Sequence, residues 1–297
     1  MIFDGRGRPP MATSKPVPAE WRDDAITGSC LGHSTVLLNF LGVRLLTDPV
    51  FSMRAGPRIG ALVLGPKRYV LPALSPSEFA APDVLILSHA HFDHFDTASL
   101  RKFSRDTPVV TASGTRDLLR RFRTVHELGW GQSVTLQVRG EELRVEAIPV
   151  AHWGARMMRD THRGYNGYVL EREGHAVCFA GDTAYTTAFA KLRERESSID
   201  LAIMPIGAYD PWIRAHCTPE QAVAMAEQAG AKYFVPIHHQ TFKLSSEPMD
   251  EPAKRLQALF AREPQRLLAV DVGETFVMPL GERTSRGGAR ARTGVIG

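Results

Sequence analysis

Cysteine is scarce in this chain of 297 residues: there are three, Cys30, Cys178 and Cys217, and no two of them form a Cys-x-x-Cys pair. That spacing excludes a disulfide framework and a thiolate zinc knot, and it predicts reduced thiols in a cytoplasm. Long apolar runs are missing too. No stretch approaches the ~18 apolar residues of a membrane span, and the opening "MIFDGRGRPPMATSKPVPAE" has no signal-peptide core. The expectation is a cytoplasmic protein with no transmembrane segment, peripheral contact with a membrane staying open. A basic stripe is the third absence. The formal charge is +4, but residues 1–20 carry a net +1, and residues 281–297 carry a net +3 through Arg283, Arg286, Arg290 and Arg292 against Glu282. The body between them is neutral, which argues against a nucleic-acid partner.

What remains is ordinary globular composition, 43% hydrophobic and 23% charged, in a length that suits one large domain. The ends predict a disordered lead over 1–20 and a disordered Arg-rich tail over 281–297, around a single domain at 21–280. Within it, "STVLLNF" (34–40) and "VRLLTDP" (43–49) flank Leu41-Gly42 and read as a hairpin. "DVLILS" (83–88) is nearly all apolar, the mark of a strand buried on both faces. Further strands are expected at 108–111, 133–138, 143–149, 166–171, 176–180, 200–204, 233–237, 267–271 and 274–278, and helices at 97–105, 114–122, 186–195, 218–229 and 249–262. The helix at 218 carries its own start signal, Thr218-Pro219-Glu220-Gln221, and Gly230 as its stop. Strands interleaved with helices predict an α/β sandwich, with sheets in the middle and helices outside.

The most informative stretch is "SHAHFDH", residues 88–94, directly after that buried strand. His89-x-His91 in a loop can aim two imidazoles at one point, and Asp93-His94 can aim at a second point beside it. Imidazole and carboxylate are natural ligands for zinc and its transition-metal neighbours, and a His/Asp set without cysteine favours an open, catalytic site. Two metals need more donors. His152 follows the strand "LRVEAIPV", Asp182 follows "AVCFA" and His238 closes "YFVP", so each is expected on the same rim as the first cluster.

This series, His89-Ala-His91-Phe-Asp93-His94, then His152, Asp182 and His238, resembles the motif series of the metallo-β-lactamase fold. That fold is an α/β class αβ/βα sandwich, two central mixed β-sheets with helices on both outer faces. The likeness narrows further. "GHSTVLLNFLGVRLLTDPVFSMRAGP", "GPKRY", "LSHAHFDHFD", "AHW", "FAGDTAY", "MPIGAYDPW", "HCTPEQAV" and "PIHHQTF" are similar, in the same order, to the N-acyl-phosphatidylethanolamine-hydrolysing phospholipase D family. The resemblance implies that His89, His91 and His152 hold one metal, that Asp93, His94 and His238 hold the other, and that Asp182 bridges them together with a hydroxide. Two divalent ions are implied, zinc first, with manganese and iron(II) open. In "IHH" the family's ligand is the first histidine, so His239 is expected to point elsewhere, as alternation along a strand requires.

The activity so implied is a dinuclear hydrolase whose bridging hydroxide attacks the phosphorus of a phosphodiester, with Asp93 and Asp182 catalytic through the ions they hold. His216 stands just ahead of the helix at 218, a position that lies in the active site of the resembling family. It would protonate the leaving group or hold the substrate phosphate. Tyr209 would hydrogen-bond a phosphoryl oxygen or pack in a loop, and Asp48 would orient ligands or shape a turn. The stretches 51–74, with Arg54, Arg58, Lys67 and Arg68, and 152–168, with Trp153, Met157, Met158, Arg156, Arg159 and Arg163, mix apolar and basic residues. A greasy, cationic lip there, with Arg54 and Trp153 touching substrate, would suit an acyl-bearing phospholipid. The expected partner is a small-molecule or lipid phosphodiester. The alternatives are a lactonase similar to ascorbate-6-phosphate lactonase, a nuclease related to tRNA 3′-processing enzymes, and a non-catalytic binding module.

Overall fold

Leu37 and Leu38 are neighbours in the chain and lie in different cores. That parity decides the layers. The computed structural model describes residues 7–60, 62–157, 159–195 and 197–280. Its strands are β1 (Ile26–Gly32), β2 (Thr35–Phe40), β3 (Val43–Thr47), β4 (Arg58–Ile59), β5 (Leu62–Val63), β6 (Val84–Leu87), β7 (Val109–Ala112), β8 (Val125–Leu128), β9 (Ser133–Val138), β10 (Glu141–Ile148), β11 (Gly167–Arg172), β12 (His175–Phe179), β13 (Leu201–Pro205), β14 (Tyr233–Ile237) and β15 (Thr275–Met278). One seven-stranded sheet runs β15-β1-β2-β3-β6-β7-β8, and a six-stranded sheet runs β14-β13-β12-β11-β10-β9. The hairpin β4–β5 stands apart.

Successive side chains on a strand point to opposite faces, so each strand feeds two layers. Val36, Leu38, Phe40, Val84 and Ile86 of the first sheet meet Val145, Tyr168, Leu170, Val177, Phe179 and Ile203 of the second in the central core. Leu37, Leu85 and Leu87 face outward to Phe95, Leu100, Phe103 and Leu119. Val169, Cys178, Ala202, Met204 and Phe234 face outward on the other side, to Phe189, Leu192, Ala222, Met225 and Leu256. The outer elements are α1 (Thr97–Leu100), α2 (Pro219–Gln228) and α3 (Glu251–Leu259), with 3-10 turns at Arg116–Leu119 and Thr187–Glu194. Each fully buried large aliphatic side chain contributes roughly 1.5–3 kcal/mol. This is the expected sandwich.

The helix α2 starts as its sequence says: Thr218 and Gln221 exchange the two bonds of a capping box, with Pro219 in the first turn and Gly230 at φ +76° beyond the end. Other expectations need correction. The helix at 97–105 is a single turn, capped by Asp96, and those at 114–122 and 186–195 are 3-10 turns. The strand expected at 267–271 makes only a bridge from Leu267 to Phe234. Four strands, β1, β4, β5 and β8, were not anticipated. The lead expected to be disordered is, from residue 7 to 20, laid along the domain: Pro9, Pro16 and Pro18 are buried, Leu71 N donates to Pro10 O at 2.9 Å, and Lys15 pairs with Glu78 at 2.7 Å. Its prolines pre-set an extended chain, so little entropy opposes docking. Residues 1–6, Met158 and the tail 281–297 lie outside the described residues. Among the described residues no helix is long and apolar enough to cross a membrane.

Candidate metal centre

Strand direction brings the donors to one rim. β1 and β3 are both antiparallel to β2, and β3 and β6 are parallel. In the second sheet β10 and β12 are both antiparallel to β11, and β12, β13 and β14 are parallel. The carboxyl ends of the strands within each set therefore share an edge. The segments leaving them carry His33, Asp48 and His89 to His94 from the first sheet, and His152, Asp182, His216 and His238 from the second.

There the side chains converge. His89 Nε2 is 2.9 Å from His91 Nδ1, and His152 Nε2 is 3.2 Å from that same nitrogen. Asp182 Oδ2 lies 3.1 Å from both His94 Nε2 and His238 Nε2, and 3.8–3.9 Å from His89 Nε2, His152 Nε2 and His216 Nδ1. Asp93 Oδ2 lies 3.5 Å from His238 Nε2, 3.7 Å from His94 Nε2 and 3.0 Å from His33 Nε2.

These groups face common points rather than pairing with one another. His94 Nε2, His216 Nδ1, His238 Nε2 and Asp182 Oδ1 are buried without a hydrogen-bond partner. Each such group costs roughly 1–3 kcal/mol, and so many in one place call for a cation. The protonation pattern agrees. Burial drives the pKa of His89 well below its ordinary value and takes His91 and His152 down to about 4, leaving neutral imidazoles with bare lone pairs. Burial would also raise Asp182, but the charges of His238 and His94 hold it well below the usual carboxylate range. His238 goes the other way: burial opposes its charge, yet Asp182 and Asp93 pull it up to about 9. The donor set fits divalent metal ions, and these His/Asp clusters are able to bind them.

Outer partners fix which nitrogen points inward. Asp48 Oδ2 accepts from His94 Nδ1 at 2.7 Å and from Ser88 Oγ at 2.6 Å, and Asp48 Oδ1 accepts from Ser88 N at 2.7 Å. Ser88 Oγ accepts in turn from His89 Nδ1 at 2.9 Å. His152 Nδ1 donates to Ala215 O at 2.8 Å. In each histidine this leaves Nε2 bare toward the centre. The motif loop is itself clamped: Arg156 donates to Ala90 O at 2.8 Å and Phe95 O at 2.7 Å, and stacks 3.9 Å over Phe92. Backbone strain gathers here too. His33, Asp48, Ala208, His238 and Gln240 all have φ between +34° and +64°, a region that costs non-glycine residues energy and recurs at functional sites.

The structure brings all seven expected donors together. His216 joins them, stacked at 5.0 Å on His238 and 5.2 Å from His152. Trp153 stands at the mouth, 4.6 Å from His91 and 54% exposed. His239 is buried and belongs to none of the clusters. Two residues expected to touch substrate are bonded to the fold itself. The Tyr209 hydroxyl donates to Glu251 at 2.8 Å and accepts from Arg255 at 3.0 Å, while Arg54 donates to Gly65 O at 2.9 Å. The cationic lip is corrected in part, at three of its arginines. Arg68 is 2% exposed, donates to the Val50 and Ser52 carbonyls and lies over Phe242. Arg163 pairs with Asp117 and Asp160. With Arg156, these cations hold loops. The neighbouring loops expose the apolar side chains of Met53, Ile59, Leu62, Leu64, Met157 and Trp212, and beside them Arg58 and Arg159. A cleft of about 600 Å³ opens between Pro66, Tyr69, Trp212 and Leu244, with Lys67 and Lys243 on its walls. His33 was not singled out as a site residue, although it stands in the run "GHSTVLLNF"; the strand that ends just before it was not recognised.

Known proteins resemble this chain. A family profile described as a β-lactamase superfamily domain matches residues 43–239. An uncharacterised Mycobacterium tuberculosis protein is 33% identical over 277 residues, 89% of this chain and 72% of its own length. N-acyl-phosphatidylethanolamine-hydrolysing phospholipase D 1 of Caenorhabditis elegans is 31% identical over 272 residues, 85% of this chain and 76% of that protein. The mitochondrial enzyme of the same name from Saccharomyces cerevisiae is 31% identical over 240 residues, 77% of this chain and 50% of that protein. Among solved structures, an isothiocyanate hydrolase from Delia radicum gut bacteria superposes with a TM-score of 0.67 at 16% identity, over 86% of this chain and 100% of that one. At that identity the likeness speaks for the fold alone. The chain belongs to the β-lactamase superfamily as a metal-dependent hydrolase, with N-acyl-phosphatidylethanolamine-hydrolysing phospholipases D among its relatives.

Proposed function

We propose that this hydrolase is a dinuclear phosphodiesterase of the N-acyl-phosphatidylethanolamine phospholipase D type, acting on a lipid or small-molecule phosphodiester. The observation that carries the reading is Asp182, whose Oδ2 lies within 3.9 Å of nitrogens from five histidines, as a bridging ligand requires. His89, His91 and His152 would hold one ion, Asp93, His94 and His238 the other, and Asp182 both. Zinc suits these donors, and manganese or iron(II) are compatible with them. Bound there, divalent cations supply Lewis acidity, bringing water toward deprotonation near neutral pH and drawing negative charge off a phosphoryl group. The chain's own groups do the rest. Burial takes the His216 pKa down to about 4, so its imidazole is neutral. A neutral ring donates one hydrogen bond and accepts one, which favours holding a substrate oxygen over delivering a proton. Trp153 packs edge-on against His91. The cleft beside Tyr69 and Trp212 falls in the size range of ligand pockets, about 300–1,000 Å³, and an acyl chain would lie there. The exposed apolar loops would meet a membrane surface from the cytoplasmic side.

Purified, metal-quantified protein should be assayed on phosphodiesters with long, short and no acyl chains, beside a sugar-phosphate lactone. The reading expects turnover of the acylated phosphodiester and loss of at least ~10²–10³-fold in Asp182→Asn. Hydrolysis of the lactone with no phosphodiester turnover would replace it with the lactonase reading.

A further inference from the structure

We infer that His33 is a positioning residue for Asp93, the donor that fixes how this carboxylate meets the second ion. The inference rests on the reading of Asp93, His94 and His238 as that ion's ligands. Three of the imidazole ligands have an outer partner: Asp48 for His94, Ser88 for His89 and the Ala215 carbonyl for His152. The counterpart for Asp93 is His33, whose Nε2 lies 3.0 Å from Asp93 Oδ2. The ring is 1% exposed and its Nδ1 is buried with no partner. Its hydrogen therefore sits on Nε2, donated to the carboxylate. One lone pair of Oδ2 is occupied in this way, which stops the carboxylate from rotating and leaves its remaining lone pairs for a cation.

The backbone around His33 is built for this placement. Its φ is +59°, in the left-handed region, and it is held there by contacts from the far end of the chain. Its amide donates to Thr241 Oγ1 at 2.6 Å, and its carbonyl accepts from His238 N at 3.0 Å. The ring is wedged against His94 at 5.2 Å, His238 at 4.1 Å and Phe242 at 5.2 Å. His33 thus ties β1, the motif loop and the end of β14 to one carboxylate.

The test uses the full chain dialysed against zinc, with zinc content measured by mass spectrometry and affinity by chelator competition. His33→Phe keeps a ring and removes the donor; His33→Gln keeps a donor and removes the ring; His94→Ala tests the underlying reading. The expected result is two zinc ions in the wild type and one in His94→Ala. His33→Phe should bind the second ion about 10- to 100-fold more weakly with the first unchanged, and His33→Gln should recover most of that loss. Wild-type affinity for both ions in His33→Phe, or a weaker second ion in His33→Gln than in His33→Phe, overturns the inference while the two-ion reading stands. Two zinc ions in His94→Ala, or one in the wild type, sinks that reading and the inference with it. The melting temperature of zinc-free protein separates a packing role, which would lower it in His33→Gln more than in His33→Phe.

Discussion

Asp48 reaches His94 Nδ1 at 2.7 Å from a fully buried position, and through Ser88 it also reaches His89. One carboxylate thus sets the tautomer of a histidine in each half of the proposed centre. Asp48→Asn keeps the shape but can turn an amide N–H toward His94, which favours the wrong tautomer. Zinc affinity should fall about 10- to 100-fold, as for other outer partners of metal-ligating histidines, with the fold retained. Chelator competition and circular dichroism on the same sample check it.

The two halves should take up metal with different pH dependence. His89, His91 and His152 are held neutral by burial, so their half loses no proton on binding near neutrality. His238 is buried against Asp182 and Asp93, which raise it to about 9, so its proton must leave before the nitrogen can coordinate. The sign follows: below pH 9 protons compete with the second ion, and affinity rises with pH, about tenfold per unit for each proton released. Calorimetry in buffers of different ionisation heat should register proton release for the second ion and little for the first. Equal release for both would refute the assignment.

Arg156 should matter for stability more than its loop position suggests. Burial lowers its pKa to about 10, but the group stays charged at neutral pH, spent on the Ala90 and Phe95 carbonyls. Arg156→Met strands both carbonyls and should cost about 2–4 kcal/mol in urea unfolding. Both bonds leave one nitrogen, Nη1, so Arg156→Lys keeps enough donors but loses the planar stacking over Phe92 and should recover only part.

His216 separates holding from protonating. In His216→Ala turnover should fall, by roughly 10²-fold or more. In His216→Asn, which keeps a hydrogen-bonding side chain without a titrating ring, much of the activity should return, with the alkaline limb of the pH–rate profile unchanged. Loss of that limb in the asparagine variant would make His216 the general acid instead.

Much of the centre was legible because metal chemistry allows few residue types, and strand ends give them few places to stand. Seven donors announced themselves by following apolar runs. His33 did not, because β1 hides its nature: it reads "ITGSCLG", with glycines that tertiary contacts demand. A Cβ on Gly28 would sit 2.6 Å from the Phe276 ring, a neighbour far along the chain. The lip was misread in part, for a related reason. Sequence shows that Arg68, Arg156 and Arg163 are basic, but not that carbonyls and carboxylates of their own fold have already claimed them. The short 3-10 turns at 116–119 and 187–194 were likewise indistinguishable from helix by periodicity.

The left-handed residues at the rim, His33, Asp48, Ala208, His238 and Gln240, set a limit on how this enzyme can be hardened. Glycine would relax the chain at any of them, but at Asp48 it would also leave the buried Ser88 and His94 donors without an acceptor. At His33, Asp48 and His238 a relaxed backbone would be gained only by removing the side chains from which the centre is built.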